Sequence, residues 1–189
     1  MRLYRISFTG ELSFEVHADA RYAPVIWEAL IAGGGPFDVT PYGTEAMHVL
    51  RAEKGYVIIG QETDGTVGPD DLGLSWAAAG SKPDFIGKRS LARLDMHRAD
   101  RKQLVGLLPE APVTEGAQIT ATPDDKAMLG HVTSSYWSPA LDRPVALALV
   151  ATGRTRIGST IHARSSDRAV RCTVVDPVFY DSVGERLHG

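Results

Sequence analysis

Glu15 lies among aromatic residues, close in sequence to Phe8 and Phe14. A carboxylate set against aromatic surface can clamp the amino and imino groups of a flat heterocycle through paired hydrogen bonds. The plainer reading is a solvated carboxylate on a strand. Asp70 and Asp71 form a second acidic pair, but they follow Gly68-Pro69, a context in which acids close a turn or cap a helix. Six histidines are present, none at a metal spacing such as H-x-x-x-H with a nearby carboxylate ligand. His48 falls in a helical pattern and is expected on the helix surface or in a polar contact rather than as a base. The single cysteine, Cys172, permits no internal disulfide and no thiolate cluster. Its alternating apolar surroundings predict a core thiol. Gly33 to Gly35 lack the Lys-Ser/Thr of a phosphate loop, and no G-x-S-x-G elbow occurs. The residues alone assign no catalytic group and no metal site.

The elements that must position these residues are legible in the periodicity. Tyr4, Ile6 and Phe8 alternate with Arg5, Ser7 and Thr9; after Gly10, Leu12, Phe14 and Val16 alternate with Glu11, Ser13, Glu15 and His17. Period two, twice, broken by glycine, predicts two strands joined by a tight turn. Tyr22, Val25, Ile26, Ala29 and Leu30 have the spacing of one buried helix face, with Pro24 in the first turn and the glycine triplet at the end. Thr40-Pro41 reads as a cap followed by proline at the first position of a second helix. Ala46, Val49, Leu50 and Glu53 share a side of that helix, and Gly55 stops it. The two helices are expected near 21–33 and 41–54, and a shorter one near 88–94. Beyond about 97 the period changes to short apolar runs at 104–108, 117–120, 128–133, 145–150, 159–163 and 169–175, separated by turns. Six short strands without helices predict a small antiparallel barrel or sandwich.

Composition bounds the function. The chain has 189 residues, 43% of them hydrophobic and 23% charged, an ordinary globular balance. Its net charge of −3 argues against a nucleic-acid partner. Arg89, Arg93, Arg98 and Arg101 cluster, but Asp95, Asp100 and Glu110 interleave with them, so a solvated face is expected. No apolar run approaches the roughly 18 residues of a membrane span, and no signal-peptide plan opens the chain. No membrane association is expected, and a cytoplasmic location is.

Four colinear segments carry a resemblance. RISFTGELSFEV (5–16) resembles the Y-T-G-E-D-G-F/V-E segment of the glycine cleavage system T-protein (aminomethyltransferase) family. AMHVLRAEKGYVIIG (46–60) resembles its L-R-L-E-x-G segment, in the R-x-E-K-G-Y form of the sarcosine oxidase alpha subunit and dimethylglycine dehydrogenase branch. LGHVTSSYWSPALDRPVALALV (129–150) is similar to the G-x-V-T-S-x-x-x-S-P-x-L hallmark of the family's C-terminal domain. PDDLGLSW (69–76) and FIGKRSL (85–91) supply the turn and helix between them.

The resemblance implies an α+β fold: the latter part of a ferredoxin-like folate-binding region over 1–97, then a small antiparallel β-barrel over 102–189. It implies tetrahydrofolate as the ligand of a one-carbon (aminomethyl or methylene) transfer module, with FAD and NAD, where such an enzyme uses them, on other domains or subunits. The family's pterin-binding glutamate falls on Glu15. Its aromatic partner falls on Phe8, which keeps a stacking face and loses the hydroxyl. Tyr56 is expected to line the folate pocket. The folate-contacting Arg-Asp pair of aminomethyltransferases is replaced by Met47 and His48. The family's catalytic aspartate belongs to an N-terminal region with no counterpart here, so the isolated chain is expected to be inactive and to bind folate weakly. The partners expected are folate, that N-terminal region or other oxidase subunits, and a second copy in a homodimer. The rival reading is a scaffold domain of an amine oxidase complex that binds no folate.

Overall fold

A computed structural model describes residues 1–78, 80–165 and 168–189. The first strands are shorter than the alternation predicts. β1 (Arg2–Tyr4) and β2 (Glu15–His17) pair antiparallel with Leu3 opposite Val16 and Tyr4 opposite Glu15. Between them the chain leaves the ladder for local bonds: Gly10 takes φ 84°, its N–H donates to Ser7 Oγ at 3.0 Å, and Ser13 Oγ donates to the Glu11 carbonyl at 3.0 Å. Local side-chain bonds and a left-handed glycine thus replace the expected continuous strands.

α1 (Ala23–Gly34) follows, with Pro24 in its first turn as expected. The face predicted to be buried is open: Tyr22, Val25 and Leu30 are 54%, 64% and 54% exposed, and only Ile26 is half-buried. The principal contacts of α1 are with the 3-10 turns that flank it, so its apolar stripe has no covering layer in these residues. α2 (Thr44–Glu53) begins after Gly43, not at Thr40-Pro41. The Thr40 hydroxyl donates to the Asp38 carbonyl instead of capping a helix. α3 spans only Lys88–Leu91, shorter than the predicted 88–94, and a separate 3-10 turn follows at Leu94–His97.

From Lys102 the chain forms a closed antiparallel barrel. Its strands are β3 (Lys102–Pro109), β4 (Gln118–Thr120), β5 (Met128–Ser138), β6 (Arg143–Ala151), β7 (Thr160–Arg164) and β8 (Ala169–Val175), in spatial order β3-β6-β5-β4-β7-β8. All six fall where the short apolar runs predict. Val105, Leu107, Ile119, Val132, Val150 and Val174 fill the interior. Opposite-parity residues Leu104, Leu147 and Leu149 pack outward against Ala52 of α2 and the segment carrying Val57, Val67 and Leu72. Burial on both faces explains the nearly unbroken apolar run of β6.

A bulge in β5 makes the second interface polar. Val132 pairs with inward-facing Ala148, but Ser134 pairs with outward-facing Leu147, the register shifting across Thr133. One extra residue turns Ser134, Tyr136 and Ser138 toward α2. Among the described residues no helix is long and apolar enough to cross a membrane.

Candidate functional site

The hairpin register decides what surrounds Glu15. Directly opposed residues share a face, so Arg2, Tyr4, Glu15 and His17 project from one side and Leu3 and Val16 from the other. Glu15 Oε2 lies 2.9 Å from His17 Nε2, and the Tyr4 ring meets the His17 ring edge-on at 5.0 Å. The Glu15 side chain is 47% exposed, and no protein donor bonds its Oε1 among the described residues. A carboxylate with one oxygen oriented by an imidazole and the other open can accept hydrogen bonds from a planar ligand's edge.

Phe8 is half-buried in the loop between β1 and β2, and Tyr56 is half-buried just beyond α2. The nearest partners of Glu15 are Tyr4 and His17; no hydrogen bond joins Tyr56 to Glu15 among the described residues. Tyr56 is hooked to α2 at both ends of its backbone: its N–H donates to the Arg51 carbonyl at 2.9 Å, and its own carbonyl accepts from Arg51 Nη1 at 3.1 Å.

Beneath these positions lies a buried charged seam. Arg51 is 0% exposed and donates to Glu62 Oε2 at 3.0 Å, Ser134 Oγ at 2.7 Å, Gln61 Oε1 at 3.4 Å and Tyr136 Oη at 3.4 Å. Glu62 also accepts from the Ile58 N–H at 2.8 Å and from Ser134. Glu53 accepts from Ser138 Oγ at 2.5 Å, and Lys54 pairs with Asp181 at 2.8 Å. The R-x-E-K-G-Y and T-S-S-Y-W-S segments are therefore two halves of one interface, fastening α2 to the barrel. Arg51, Glu53 and Lys54 stand in a recognisable motif without any role being readable from it. Glu62 carries no motif at all, and only the fold brings it to Arg51.

The remaining sequence candidates resolve as structure. Asp71 is buried, caps Gly68 N–H at 2.8 Å and takes Arg101 Nε at 2.9 Å; Asp70 accepts from Ser75 Oγ at 2.6 Å. The arginine cluster is solvated at Arg89, Arg93 and Arg98, but Arg101 is not. It is locked between Asp71 and the Asp95 carbonyl. Next to it a cleft of about 210 Å³ is lined by Asp64, Lys102 and His131 among others. Burial, with the Lys102 charge adding, holds the His131 imidazole below its ordinary value. Cys172 is buried, its thiol pushed up to about 11 by desolvation. His48 is half-buried on α2. No group of three or more potential metal-ligating side chains occurs among the described residues.

A mixed helix-and-sheet layer on a closed six-stranded antiparallel barrel is similar to the aminomethyltransferase fold. Residues 1–82 match the GCVT N-terminal domain and residues 102–181 the glycine cleavage T-protein C-terminal barrel domain. The chain belongs to the glycine cleavage T-protein family. It is 46% identical over 196 residues to sarcosine oxidase subunit alpha of Corynebacterium sp. (strain P-1), covering 100% of this chain and 20% of that protein. Identity to the Rhizobium meliloti (strain 1021) subunit alpha is 39%, covering 98% of this chain and again 20% of the relative. An aminomethyltransferase of Caldanaerobacter subterraneus subsp. tengcongensis is 30% identical, covering 93% of this chain and 46% of that protein. Glycine cleavage system aminomethyltransferase T from Bartonella henselae superposes with a TM-score of 0.83 at 25% identity, over 95% of this chain and 50% of its own. The chain thus spans about a fifth of the sarcosine oxidase alpha subunits and about half of the aminomethyltransferases it matches.

Proposed function

We propose that this chain is a tetrahydrofolate-binding one-carbon-transfer module, the folate end of a larger enzyme of the sarcosine oxidase alpha-subunit kind. The observation that carries this reading is Glu15: the family's pterin-binding position falls on a carboxylate with an open oxygen, on the polar face of an exposed hairpin. The donor set fits a pterin edge, which offers adjacent amino and imino hydrogens to a carboxylate. Glu15 would anchor that edge, with His17 fixing the carboxylate's rotamer. Phe8 would offer a stacking face and Tyr56 a pocket wall. Bound reduced folate supplies the nucleophilic nitrogen that takes up the one-carbon unit. This chain would orient it, and no residue here is assigned the proton-handling step. On this reading residues 1–97 form the folate unit and 102–189 the barrel unit. The open apolar faces of α1 and the hairpin meet other parts of a cytoplasmic assembly, or a second copy when the chain is alone.

The test is calorimetric titration of the folded chain with tetrahydrofolate. Glu15→Ala should weaken binding by about 1.5–3 kcal/mol, the loss of charge-assisted hydrogen bonds. A dissociation constant unchanged by the substitution would remove Glu15 as the anchor.

A further inference from the structure

After β8 the chain does not end at the barrel. Residues 176–189 run back across the end of α2 to the loop between β1 and β2. Three junctions hold this C-terminal strap. The Phe179 and Tyr180 N–H groups both donate to the Glu53 carbonyl, at 2.9 and 3.0 Å. The Pro177 carbonyl approaches Gly55 so closely that a Cβ there would sit 2.5 Å from it. Lys54 Nζ lies 2.8 Å from Asp181 Oδ2 and also donates to the Asp181 carbonyl, and both side chains are only 9% exposed. Asp181 in turn accepts from the Glu185 and Arg186 N–H groups, closing the strap's last turn.

The far side of that turn reaches the hairpin. Leu12 N–H donates to the Arg186 carbonyl at 2.8 Å, Arg5 Nη2 donates to the Leu187 carbonyl at 2.9 Å, and Arg186 pairs with Glu11 at 3.3 Å. Gly10 rests on the Lys54 stem, where a Cβ would lie 2.9 Å from its Cγ and Cδ. The space left between these groups is about 10 Å³, room for one water molecule at most. Among the described residues, every hydrogen bond or ion pair that leaves residues 1–18 ends on this strap.

We infer that the C-terminal strap, keyed by the Lys54–Asp181 pair, is the device that positions the Glu15 hairpin on the body of the molecule. The inference rests on the folate reading for its functional consequence and on the contacts above for its mechanics. Lys54 and Asp181 are positioning residues: they act on Glu15 through the strap and Leu12, and neither is placed against ligand. A two-strand hairpin is marginal by itself, so its orientation follows whatever holds it. The Lys54 ammonium, hydrogen-bonded to it, holds the Asp181 carboxyl below its ordinary value.

Asp181→Asn removes the charge and one of the two oxygens that accept from the Glu185 and Arg186 N–H groups, at a φ of 49° that Asn also tolerates; Lys54→Met cuts the same pair while leaving those turn bonds in place. Lys54→Met keeps the stem under Gly10. Hydrogen exchange followed by peptide mass analysis should show residues 5–17 exchanging roughly tenfold faster in either variant, with barrel peptides unchanged. Tetrahydrofolate affinity should fall by about tenfold in both, and the double variant should be no worse than either single one, because one linkage is being cut. Hairpin exchange equal to wild type, or a uniform loss of protection that includes the barrel, overturns the inference. So does a loosened hairpin with undiminished folate affinity. If the double variant is additive, the pair does not act as one key. If wild type itself binds no tetrahydrofolate, the folate reading falls, and hairpin exchange alone then decides the strap. Arg186→Ala removes an exposed ion pair, with side chains 53% and 40% exposed, and should show a smaller effect of the same kind.

Discussion

Arg51 is the residue on which the two layers turn. Its guanidinium is removed from water, with Glu62 just beyond α2 and Ser134 and Tyr136 far along the chain on β5. A buried ion pair gains little or nothing over a well-packed apolar substitute, but breaking one half of it leaves a charge without water or a partner. Arg51→Met should therefore lower stability by about 3–5 kcal/mol in urea unfolding. Adding Glu62→Gln should recover part of that loss, since the Gln carbonyl can still accept from the Ile58 N–H and its amide NH2 can donate to Ser134 Oγ, with no stranded charge. A double variant as unstable as the sum of the two single losses would show that the pair is not coupled. The same reasoning places His17 next to Glu15: an exposed pair on an open hairpin contributes little to stability and is free to serve a ligand.

At the scale of elements, the barrel and the segment covering it are held by unlike forces, apolar inside β3–β8 and mixed outside. His131 on β5 reports the outer contact, because the segment around Asp64 to Val67 desolvates it. Its folded pKa lies below the ordinary 6.5, owing first to burial and then to Lys102. The folded protein consequently binds fewer protons than the unfolded chain just below that value. Stability should decline as pH falls through about 6.5 and stop responding to this group below the folded pKa. His131→Asn should flatten that part of the stability–pH curve. An identical slope in wild type and variant would mean that the cleft does not desolvate the ring.

For the whole molecule, the unbalanced feature is the side away from the barrel. α1 presents Val25 and Leu30, and the hairpin presents Ile6 and Phe14, all 46% to 64% exposed. Apolar surface on this scale ordinarily meets another surface. The 189-residue chain should therefore self-associate with rising concentration in sedimentation velocity, and Val25→Glu with Leu30→Glu should shift it toward monomer. A wild-type chain monomeric throughout would show that these side chains are tolerated in water as they stand.

The six strands were determined by the sequence alone, one by one, although their periodicity fits a barrel and a sandwich equally. Alternation and turn residues act over a few positions, and Leu104 to Val175 carry both without contradiction. The helices were legible for the same reason, as was the core position of Cys172. What only the tertiary structure decided is where distant segments return. Thr40-Pro41 looks like a helix start until Asp38 claims the hydroxyl, and the first strands shorten where Gly10 turns left-handed and Leu12 bonds to Arg186. The α1 stripe has the period of a buried face, yet periodicity says which side is apolar and not whether anything covers it. The roles of Arg51, Glu53 and Lys54 depend on Glu62, Ser138 and Asp181. A buried charge is stable only where its partner arrives, and that arrival is set by chain topology rather than by any local pattern.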